Sequence, residues 1–329
     1  MSDRSAPPTV SVVFSFRNER ENIPPLIARL HAMFSGAGVD YELILVNDAS
    51  DDGSLETLVE QRSRNPRVKV LNMSRRFGVS ECAHAGMAAA SGNAVIVMDA
   101  DLQDPPEVIP QLVDKWRAGA DVVHTVRTER RGESALKMMV TRLAYRIIHL
   151  GSSIALPVDA GDFKLLSRAA LNHLLALRES DGYLRGLVVW IGFPQAFVPY
   201  VRAPRHAGRT HFPFFSRNPW KTFAMGLTSF SFMPIFVAIG LAGASVIIAA
   251  LLIARAAVLV LTGGRLTTPA ALVTIGAFFW ATTLVAIAGI GIYVIRIYKD
   301  VRNRPQYIVA STLGLAAPHH KDMPERAVR

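Results

Sequence analysis

The sequence predicts an α/β domain, with a mostly parallel sheet flanked by helices, followed by a hairpin of two membrane-spanning helices. In residues 10–125, short β-branched apolar runs alternate with segments of helical spacing. This alternation is typical of a parallel sheet that is covered by helices on both faces. Two long uncharged apolar runs follow later in the chain, and each reaches the length of about 20 residues that crosses a bilayer as a helix.

The elements of the α/β region are predicted in strict alternation, and they place acidic residues at strand ends. Ligands of such sheets bind at the carboxyl ends of the strands. Asp48, Asp99 and Asp101 follow predicted strands, so they mark a candidate site. The predicted strands are residues 10–14, 41–46, 68–71, 94–98 and 120–125, and the predicted helices are residues 22–34, 54–62 and 80–90.

The two apolar runs predict membrane helices at about residues 233–256 and 270–295, joined by a short turn. The alternative is a pair of helices buried in a soluble core. Basic residues are dense in residues 202–221 and 296–304, whereas only Arg255 and Arg265 lie near the turn. The positive-inside rule therefore predicts a multi-pass protein whose N-terminal domain and both termini are cytoplasmic. The Phe-rich residues 212–232 suit an amphipathic helix in the membrane interface, or else an ordinary domain helix.

Composition narrows the partners of the chain. The 329 residues carry a formal net charge of +10, and half of them are hydrophobic. Because the basic clusters adjoin the apolar runs, they favour an anionic membrane surface, and nucleic acid is not expected as a partner. Cys82 is the only cysteine, so the chain has no intrachain disulfide framework.

The strongest chemical motif is the Asp-Ala-Asp sequence at residues 99–101. Two carboxylates one residue apart at a strand end can face a divalent cation, Mg²⁺ or Mn²⁺, whose shell is completed by diphosphate oxygens. Gln103 offers a neutral oxygen on the same side. The plain alternative is a solvated turn, or an Asp that caps the following helix.

Several segments, in order, resemble glycosyltransferase family 2, in the branch of dolichol-phosphate mannose synthase and bacterial polyprenyl-phosphate (bactoprenol) glucosyltransferases. The resemblance implies a GT-A type fold and inverting transfer of a hexose from a nucleotide diphosphate sugar to a polyprenyl phosphate lipid. UDP-glucose is the first choice of donor, while GDP-mannose, UDP-galactose and an amino-arabinose donor stay open. The matching segments are residues 18–19, 46–54, 74–78, 99–106, 126–134, 161–163, 190–193 and 297–308.

That resemblance divides the chain and implies its setting. Residues 1–211 become a cytoplasmic catalytic domain, 212–232 an interfacial segment, 233–297 the two membrane helices and 298–329 a cytoplasmic tail. The expected location is the bacterial inner membrane, and a homo-oligomer is compatible with the family. A processive polysaccharide synthase and a non-catalytic membrane scaffold are the alternatives.

The resemblance also implies roles for individual residues. Asp99, Asp101 and Gln103 would hold the metal, and Asp162 and Asp101 form the catalytic pair. Asp162 is often assigned as a base in this family, but a phosphate monoester with a second pKa of about 6 hardly needs one. The alternatives for Asp162 are to orient the acceptor, to cap a helix or to pair with an Arg. The nucleotide-sugar set is Ser15, Arg17, Glu19, Asp48, Arg76, Asp99, Arg205 and His211.

A basic group follows the fifth predicted strand. Arg127, Arg131 and Lys137 are candidates for binding the acceptor phosphate, or else they form a solvated face against anionic lipid. Three positions depart from the family pattern: Ser15 and Arg17 stand where Pro and an aromatic residue are usual, and His211 stands where Lys is usual. Because imidazole carries less charge than Lys at neutral pH, we expect activity to fall as pH rises through the titration of His211.

Overall fold

The computed structural model describes residues 9–129, 160–177, 179, 182–203, 233–263, 269–302 and 304–315. Within them, eight strands form one sheet in the order β7-β5-β6-β4-β1-β2-β3-β8. The strands are β1 Val10–Phe16, β2 Tyr41–Asn47, β3 Val68–Met73, β4 Ala94–Asp99, β5 Val122–Glu129, β6 Ala160–Ser167, β7 Gln195–Val201 and β8 Val309–Leu313. The helices are α1 Ile23–Ala37, α2 Ser54–Arg64, α3 Val79–Ala89, α4 Ile109–Arg117, α5 Arg168–Leu175, α6 Leu184–Trp190, α7 Met233–Leu261 and α8 Pro269–Val301.

The centre of the sheet is the predicted parallel unit. Strands β3, β2, β1 and β4 are parallel neighbours, and every residue of β1 and β2 is buried. Continuous burial explains why these two strands are apolar along most of their length rather than alternating. Their register places Ser15 at the end of β1 beside Asp99 at the end of β4.

Beyond this centre the sheet is mixed. Strand β6 lies antiparallel between β4 and β5, β7 is parallel to β5, and β8 is antiparallel to β3. Four of the seven strand pairs are therefore parallel, so the α/β class is confirmed. The predictions from sequence did not include β6, β7 and β8.

Helices cover both faces of the sheet, as predicted. Helices α1, α2 and α4 pack on one face, and α3, α5 and α6 pack on the other. Helix α3 packs tightly on the sheet at Gly86, where a Cβ atom would lie 2.3 Å from Cγ1 of Val13. A side chain at this position would force the helix away from β1.

The two apolar helices pack against each other in antiparallel directions. The hydroxyls of Ser245 and Thr282 lie 3.0 Å apart, and a Cβ atom at Gly289 would sit 3.6 Å from the carbonyl oxygen of Pro234. The segments Pro234–Leu252 and Phe278–Val301 are long and apolar enough to cross a membrane, and only 6% and 0% of their most apolar windows are buried. The alternative of buried core helices does not fit this exposure.

The chain after α8 returns to the N-terminal domain. Strand β8 pairs with β3, with Thr312 opposite Leu71, and the amide of Ser74 donates to the carbonyl oxygen of Ile308 at 3.0 Å. Arg296 near the end of α8 lies 3.6 Å from the Glu179 carboxylate, and the Gln306 side chain donates to the Glu179 carbonyl oxygen. Residues on both sides of the apolar helices thus belong to one packed unit.

Candidate active site

Strained backbone gathers where the parallel strands end. Among the residues that the structure describes, three other than glycine have positive φ angles, namely Asn18 at 57°, Ala49 at 51° and Leu102 at 59°. They lie in the loops after β1, β2 and β4, respectively. Such residues cost about 1–3 kcal/mol each and persist only where the surroundings hold them, which is common at ligand sites. The strain coincides with the edge of the sheet where the sequence predicts a site.

Arg17 stabilises the loop after β2. Its guanidinium donates to the carbonyl oxygens of Asp48 at 3.1 Å and of Ala49 at 2.9 Å. It also forms an ion pair of 3.2 Å with Asp51. The position where the family has an aromatic residue therefore carries a side chain that holds the strained Ala49 in place. Its contact with a nucleotide sugar stays a prediction.

Other members of the predicted nucleotide-sugar set occupy the same end of the sheet. The buried Asp48 carboxylate accepts from the amides of Phe77 at 2.6 Å and of Gly78 at 3.1 Å, which ties down the loop before α3. Glu19 is also buried and accepts from the side-chain amide of Asn22 at 2.5 Å. Arg76, in that same loop, is exposed.

The Asp-Ala-Asp motif begins an acidic cluster in which the pKa of Asp99 is raised. Asp99 ends β4, and Asp101 and Asp104 are buried in the loop that follows. Burial raises the pKa of Asp99 to about 7, with further contributions from the like charges of Asp104, Asp101 and Asp162 and a partial offset from Arg202. Carboxylates that repel each other in this way favour a bound cation.

The acidic cluster fits a divalent cation by its donor chemistry. Within the described ranges, no three His, Cys, Asp or Glu side chains are grouped as a ready-made metal site. The predicted set needs only the carboxylates of Asp99 and Asp101 and the amide of Gln103, since diphosphate oxygens supply the rest. The backbone amide of Gln103 donates to Oδ1 of Asp101 at 3.1 Å, which joins two members of the set. A cation would also relieve the repulsion that raises the pKa of Asp99.

A chain of hydrogen bonds joins the acidic cluster to Arg127 on β5. Arg127 donates from Nε to the Tyr200 hydroxyl at 3.1 Å, and that hydroxyl donates to Oδ1 of Asp104 at 2.5 Å. Arg202 lies 3.4 Å from Asp104 and 3.7 Å from Asp99. Burial, with the charge of Asp104, raises the pKa of Tyr200 to about 12, so its hydroxyl keeps its proton as a donor at neutral pH.

Asp162 lies on β6 in a two-fold contact with Arg185 of α6. Nε of Arg185 donates to Oδ1 at 2.8 Å, and Nη2 donates to Oδ2 at 2.7 Å. Burial would raise the pKa of Asp162, but Arg185, then Lys164 and Arg127, hold this pKa well below its usual range. Lys164, two residues along β6, is fully buried, and burial lowers its pKa to about 8.

The structure brings Asp99, Asp101 and Asp162 together with Arg127, while Ser15 adjoins Asp99 across the sheet. Arg131, Lys137, Arg205, His211 and residues 212–232 lie outside the described residues. Sequence reasoning missed several residues of this region, although charged residues two apart in the otherwise apolar β6 were a usable signal. The missed residues are Asp104, Lys164, Arg185, Tyr200 and Arg202.

Two solved structures that align with this chain do so with TM-scores below 0.5. A mannosyltransferase from Pyrobaculum calidifontis, in complex with GDP-Man and Mn²⁺, gives a TM-score of 0.46 at 17% identity and covers 90% of this chain and 89% of its own. Glucosyl-3-phosphoglycerate synthase from Mycobacterium tuberculosis gives a TM-score of 0.49 at 22% identity, with 68% of this chain and 81% of its own covered.

Sequence relatives match nearly the whole chain. An uncharacterized glycosyltransferase of Synechocystis sp. is 38% identical over 313 residues, 93% of this chain and 96% of that protein. The bactoprenol glucosyl transferase of Shigella phage SfII is 34% identical over 307 residues, 91% of this chain and 97% of that protein. The model of glycosyl transferase family 2 matches residues 11–175. From these sequence matches, the chain belongs to glycosyltransferase family 2.

Proposed function

We propose that this protein transfers a hexose from a nucleotide diphosphate sugar to polyprenyl phosphate at the cytoplasmic face of a membrane. The observation that carries the proposal is that Tyr200 links the acidic cluster to Arg127 through hydrogen bonds. The domain that holds these residues is joined to two apolar helices. UDP-glucose is the proposed donor, because relatives named bactoprenol glucosyl transferase match 91% of the chain.

On the donor side, we assign the carboxylates of Asp99 and Asp101 and the amide of Gln103 to a Mg²⁺ or Mn²⁺ ion. The bound ion would neutralise charge on the departing nucleotide diphosphate. Arg202 contacts Asp99 and Asp104, so it keeps two of the carboxylates from spreading apart. The loops that Arg17 and Asp48 stabilise, after β2 and before α3, lie at the same edge of the sheet and are the proposed nucleoside site.

On the acceptor side, an oxygen of the lipid phosphate attacks the anomeric carbon of the sugar. The new bond forms between this oxygen and the carbon, the bond from the carbon to the diphosphate oxygen breaks, and the configuration inverts. With a second pKa of about 6, the phosphate is mostly a dianion at pH 7 and releases no proton. Arg127, which Tyr200 holds through a hydrogen bond, is the proposed contact for this dianion.

The proposed orientation draws support from the return of the chain. Because β8 pairs with β3, the residues after α8 and the N-terminal domain lie on one side of any membrane that α7 and α8 span. Two crossings of the membrane satisfy this condition, and a single crossing does not. Basic residues near the same ends of the two helices support a cytoplasmic location for this side, by the positive-inside rule.

The test is a transfer assay with purified protein in detergent. The protein is incubated with undecaprenyl phosphate, Mg²⁺ or Mn²⁺ and a panel of labelled nucleotide sugars, and label is counted in the lipid phase. We expect transfer from UDP-glucose that is lost with EDTA and in Asp101→Ala. Transfer from GDP-mannose alone would replace the donor, whereas no transfer from any donor would refute the proposed acceptor.

A further inference from the structure

Arg202 contacts the acidic cluster through charge rather than through hydrogen bonds. Its Nη2 atom lies 3.7 Å from Oδ2 of Asp99, and its Nε atom lies 3.4 Å from Oδ1 of Asp104. Hydrogen bonds between such charged groups are shorter, at about 2.7–2.9 Å. Nε is buried and has no hydrogen-bond partner among the described residues. The guanidinium therefore neutralises charge in this arrangement while its buried donor is not used.

Asp104 gives the matching observation on the acidic side. It is 1% exposed, and its Oδ2 atom has no hydrogen-bond partner within the part of the chain that the structure describes. Buried polar atoms of this kind are rare, and each needs an explanation such as a bound ion or a catalytic role. A donor of Arg202 and an acceptor of Asp104 are both unused although the two side chains adjoin, so Arg202 has hydrogen bonds to gain from a different partner.

The backbone beside Arg202, in contrast, is fixed to the proposed metal site. The amide of Ala203 donates to the carbonyl oxygen of Gln103 at 2.9 Å, and the side-chain nitrogen of Gln103 donates to the carbonyl oxygen of Ala203 at 3.5 Å. This second contact leaves the side-chain oxygen of Gln103 for a cation. The guanidinium of Arg202 is therefore attached to a fixed backbone point, while its side chain, which is 24% exposed, is open to a ligand from solvent.

The place of Arg202 puts it in competition with a metal ion. Its charge stabilises the ionised form of Asp99, which is one of the two carboxylates that we assign to Mg²⁺ or Mn²⁺. A divalent cation on Asp99 would share this carboxylate with the guanidinium, and like charges at such short distances repel each other. Arg202 therefore weakens the binding of a metal ion that arrives without other anions.

A diphosphate on the metal reverses this effect. Neighbouring ligand oxygens of an octahedral ion lie about 3 Å apart, so a guanidinium at Asp99 is within reach of diphosphate oxygens on the same ion. These oxygens carry negative charge and accept two parallel hydrogen bonds from an arginine. Arg202 is then attracted to the bound donor instead of opposing the metal.

We propose that Arg202 occupies the carboxylates of Asp99 and Asp104 in place of the metal until the donor binds, and then contacts the diphosphate of the donor. In this role Arg202 makes binding of the metal depend on binding of the donor, and the coupling between the two ligands is reciprocal. The inference rests on the proposed function for the identity of the donor. It deepens that function by assigning a further diphosphate-binding residue to the same site.

The experiment measures metal and nucleotide affinities rather than transfer. The purified full-length protein in detergent is titrated with Mn²⁺ alone, followed by the electron paramagnetic resonance signal of the free ion. It is also titrated with UDP at saturating Mn²⁺, followed by calorimetry, and with GDP in parallel. The titrations are made at about pH 8, because the pKa of Asp99 is about 7 and protons compete with the metal at lower pH.

Removal of the charge in Arg202→Gln has opposite effects on these two affinities. We expect Mn²⁺ alone to bind about tenfold more tightly, since the competing charge is gone. We expect UDP at saturating Mn²⁺ to bind about tenfold to a hundredfold more weakly, since a bond between charged groups is lost. Arg202→Lys keeps the charge without the planar fork, so it should bind Mn²⁺ alone as wild type does and lose part of the UDP affinity.

A matched control comes from an ion pair of similar length at the other end of the sheet. Arg67 lies 3.5 Å from Asp40, and the two residues precede β3 and β2, respectively. We expect Arg67→Gln to leave both affinities unchanged. Melting temperatures identify any variant that fails to fold, and Arg202→Lys carries the test if Arg202→Gln does not fold.

A role of Arg202 in holding the carboxylates together, and nothing more, gives a different pattern. In that case Arg202→Gln lets Asp99 and Asp104 move apart, and Mn²⁺ binds more weakly both with UDP and without it. That result would overturn the inference. Unchanged UDP affinity at saturating Mn²⁺, in a folded Arg202→Gln or Arg202→Lys protein, would overturn it as well.

The outcomes also separate this inference from the proposed function. Opposite effects of Arg202→Gln on Mn²⁺ and UDP, without transfer of sugar to undecaprenyl phosphate by wild type, would refute the proposed reaction and leave the role of Arg202 standing. Transfer by wild type, with Mn²⁺ and UDP affinities that Arg202→Gln leaves unchanged, would overturn the role of Arg202 alone. Wild type that binds neither UDP nor GDP in the presence of Mn²⁺ would overturn both.

Discussion

Removal of one hydroxyl, in Tyr200→Phe, tests the link between the acidic cluster and Arg127. The hydroxyl donates to the buried Asp104 at 2.5 Å and accepts from Arg127 at 3.1 Å. The ring stays packed edge-on against Phe163, at 5.9 Å between centroids, so the change removes the polar contacts and little else. Hydrogen bonds to charged groups contribute about 1.5–3 kcal/mol each. Since the two bonds share one oxygen, we expect a loss of about 3 kcal/mol in the free energy of unfolding.

A second buried tyrosine gives the matched control. The hydroxyl of Tyr41 lies 2.7 Å from Nδ1 of His31, and its ring stacks on Phe34 at 4.5 Å. Because this hydroxyl contacts an imidazole rather than an ion pair, Tyr41→Phe is expected to cost about 1 kcal/mol. A difference of about 2 kcal/mol corresponds to about 4–8 °C in melting temperature for a domain of this size.

The assay is thermal unfolding of both variants in the same detergent, together with sugar transfer. We expect Tyr200→Phe to melt lower than Tyr41→Phe and to lose transfer activity, since Arg127 and Asp104 lose a shared partner. Equal melting temperatures, or full activity in Tyr200→Phe, would show that this hydrogen-bonded chain does not organise the site.

Three further changes have expected outcomes that follow from the structure. Gly86→Ala puts a Cβ atom 2.3 Å from Val13, so we expect the free energy of unfolding to fall by about 1–3 kcal/mol. Gly36→Ala in α1, which has open space around it, is the control and is expected to raise the free energy of unfolding by up to about 1 kcal/mol. Equal melting temperatures of the two variants would contradict the close approach at Gly86. The pKa of Asp99 rises on folding from 3.8 to about 7, so between these pH values the folded, metal-free protein binds a proton that the unfolded chain releases. Its stability therefore falls as pH rises from about 4 to about 7. We expect Asp99→Asn to remove this slope in melting temperature, and Mn²⁺ above pH 7 to stabilise wild type more than the variant. Deletion of residues 309–329 removes β8 and uncovers β3, so we expect a lower melting temperature and further association between copies in size-exclusion chromatography. An unchanged melting temperature and elution volume would refute the role of β8 as an edge cover.

Local pattern was enough to predict the centre of the fold. Strands β1 to β4 are short apolar runs, and each is followed or preceded by a helix with one apolar side, so periodicity alone indicates both. Strand β6 was missed because Asp162 and Lys164 interrupt its apolar pattern. Strand β8 was missed because its partner β3 is far away in the sequence, and pairing over such a distance leaves no local signal.

The acidic residues of the candidate site were predictable from the sequence, whereas most of the basic residues near them and Tyr200 were not. The carboxyl-end rule for parallel strands applies directly to Asp99 and Asp101, since Asp99 ends β4 and Asp101 lies two residues further on. Arg185 reaches Asp162 from a separate helix, and Tyr200 reaches Asp104 from β7. Contacts of this kind depend on how β6 and β7 join the sheet, which sequence pattern alone did not predict.

The pairing of β8 with β3 sets an order of events during synthesis. Leu71 is made early and Thr312 late, so the edge of β3 stays open while the ribosome makes most of the chain. Both apolar helices emerge before the residues that close this edge. Insertion of the two helices into a membrane as they emerge would therefore precede completion of the sheet, and until β8 pairs with β3 the open strand edge can be joined by other chains.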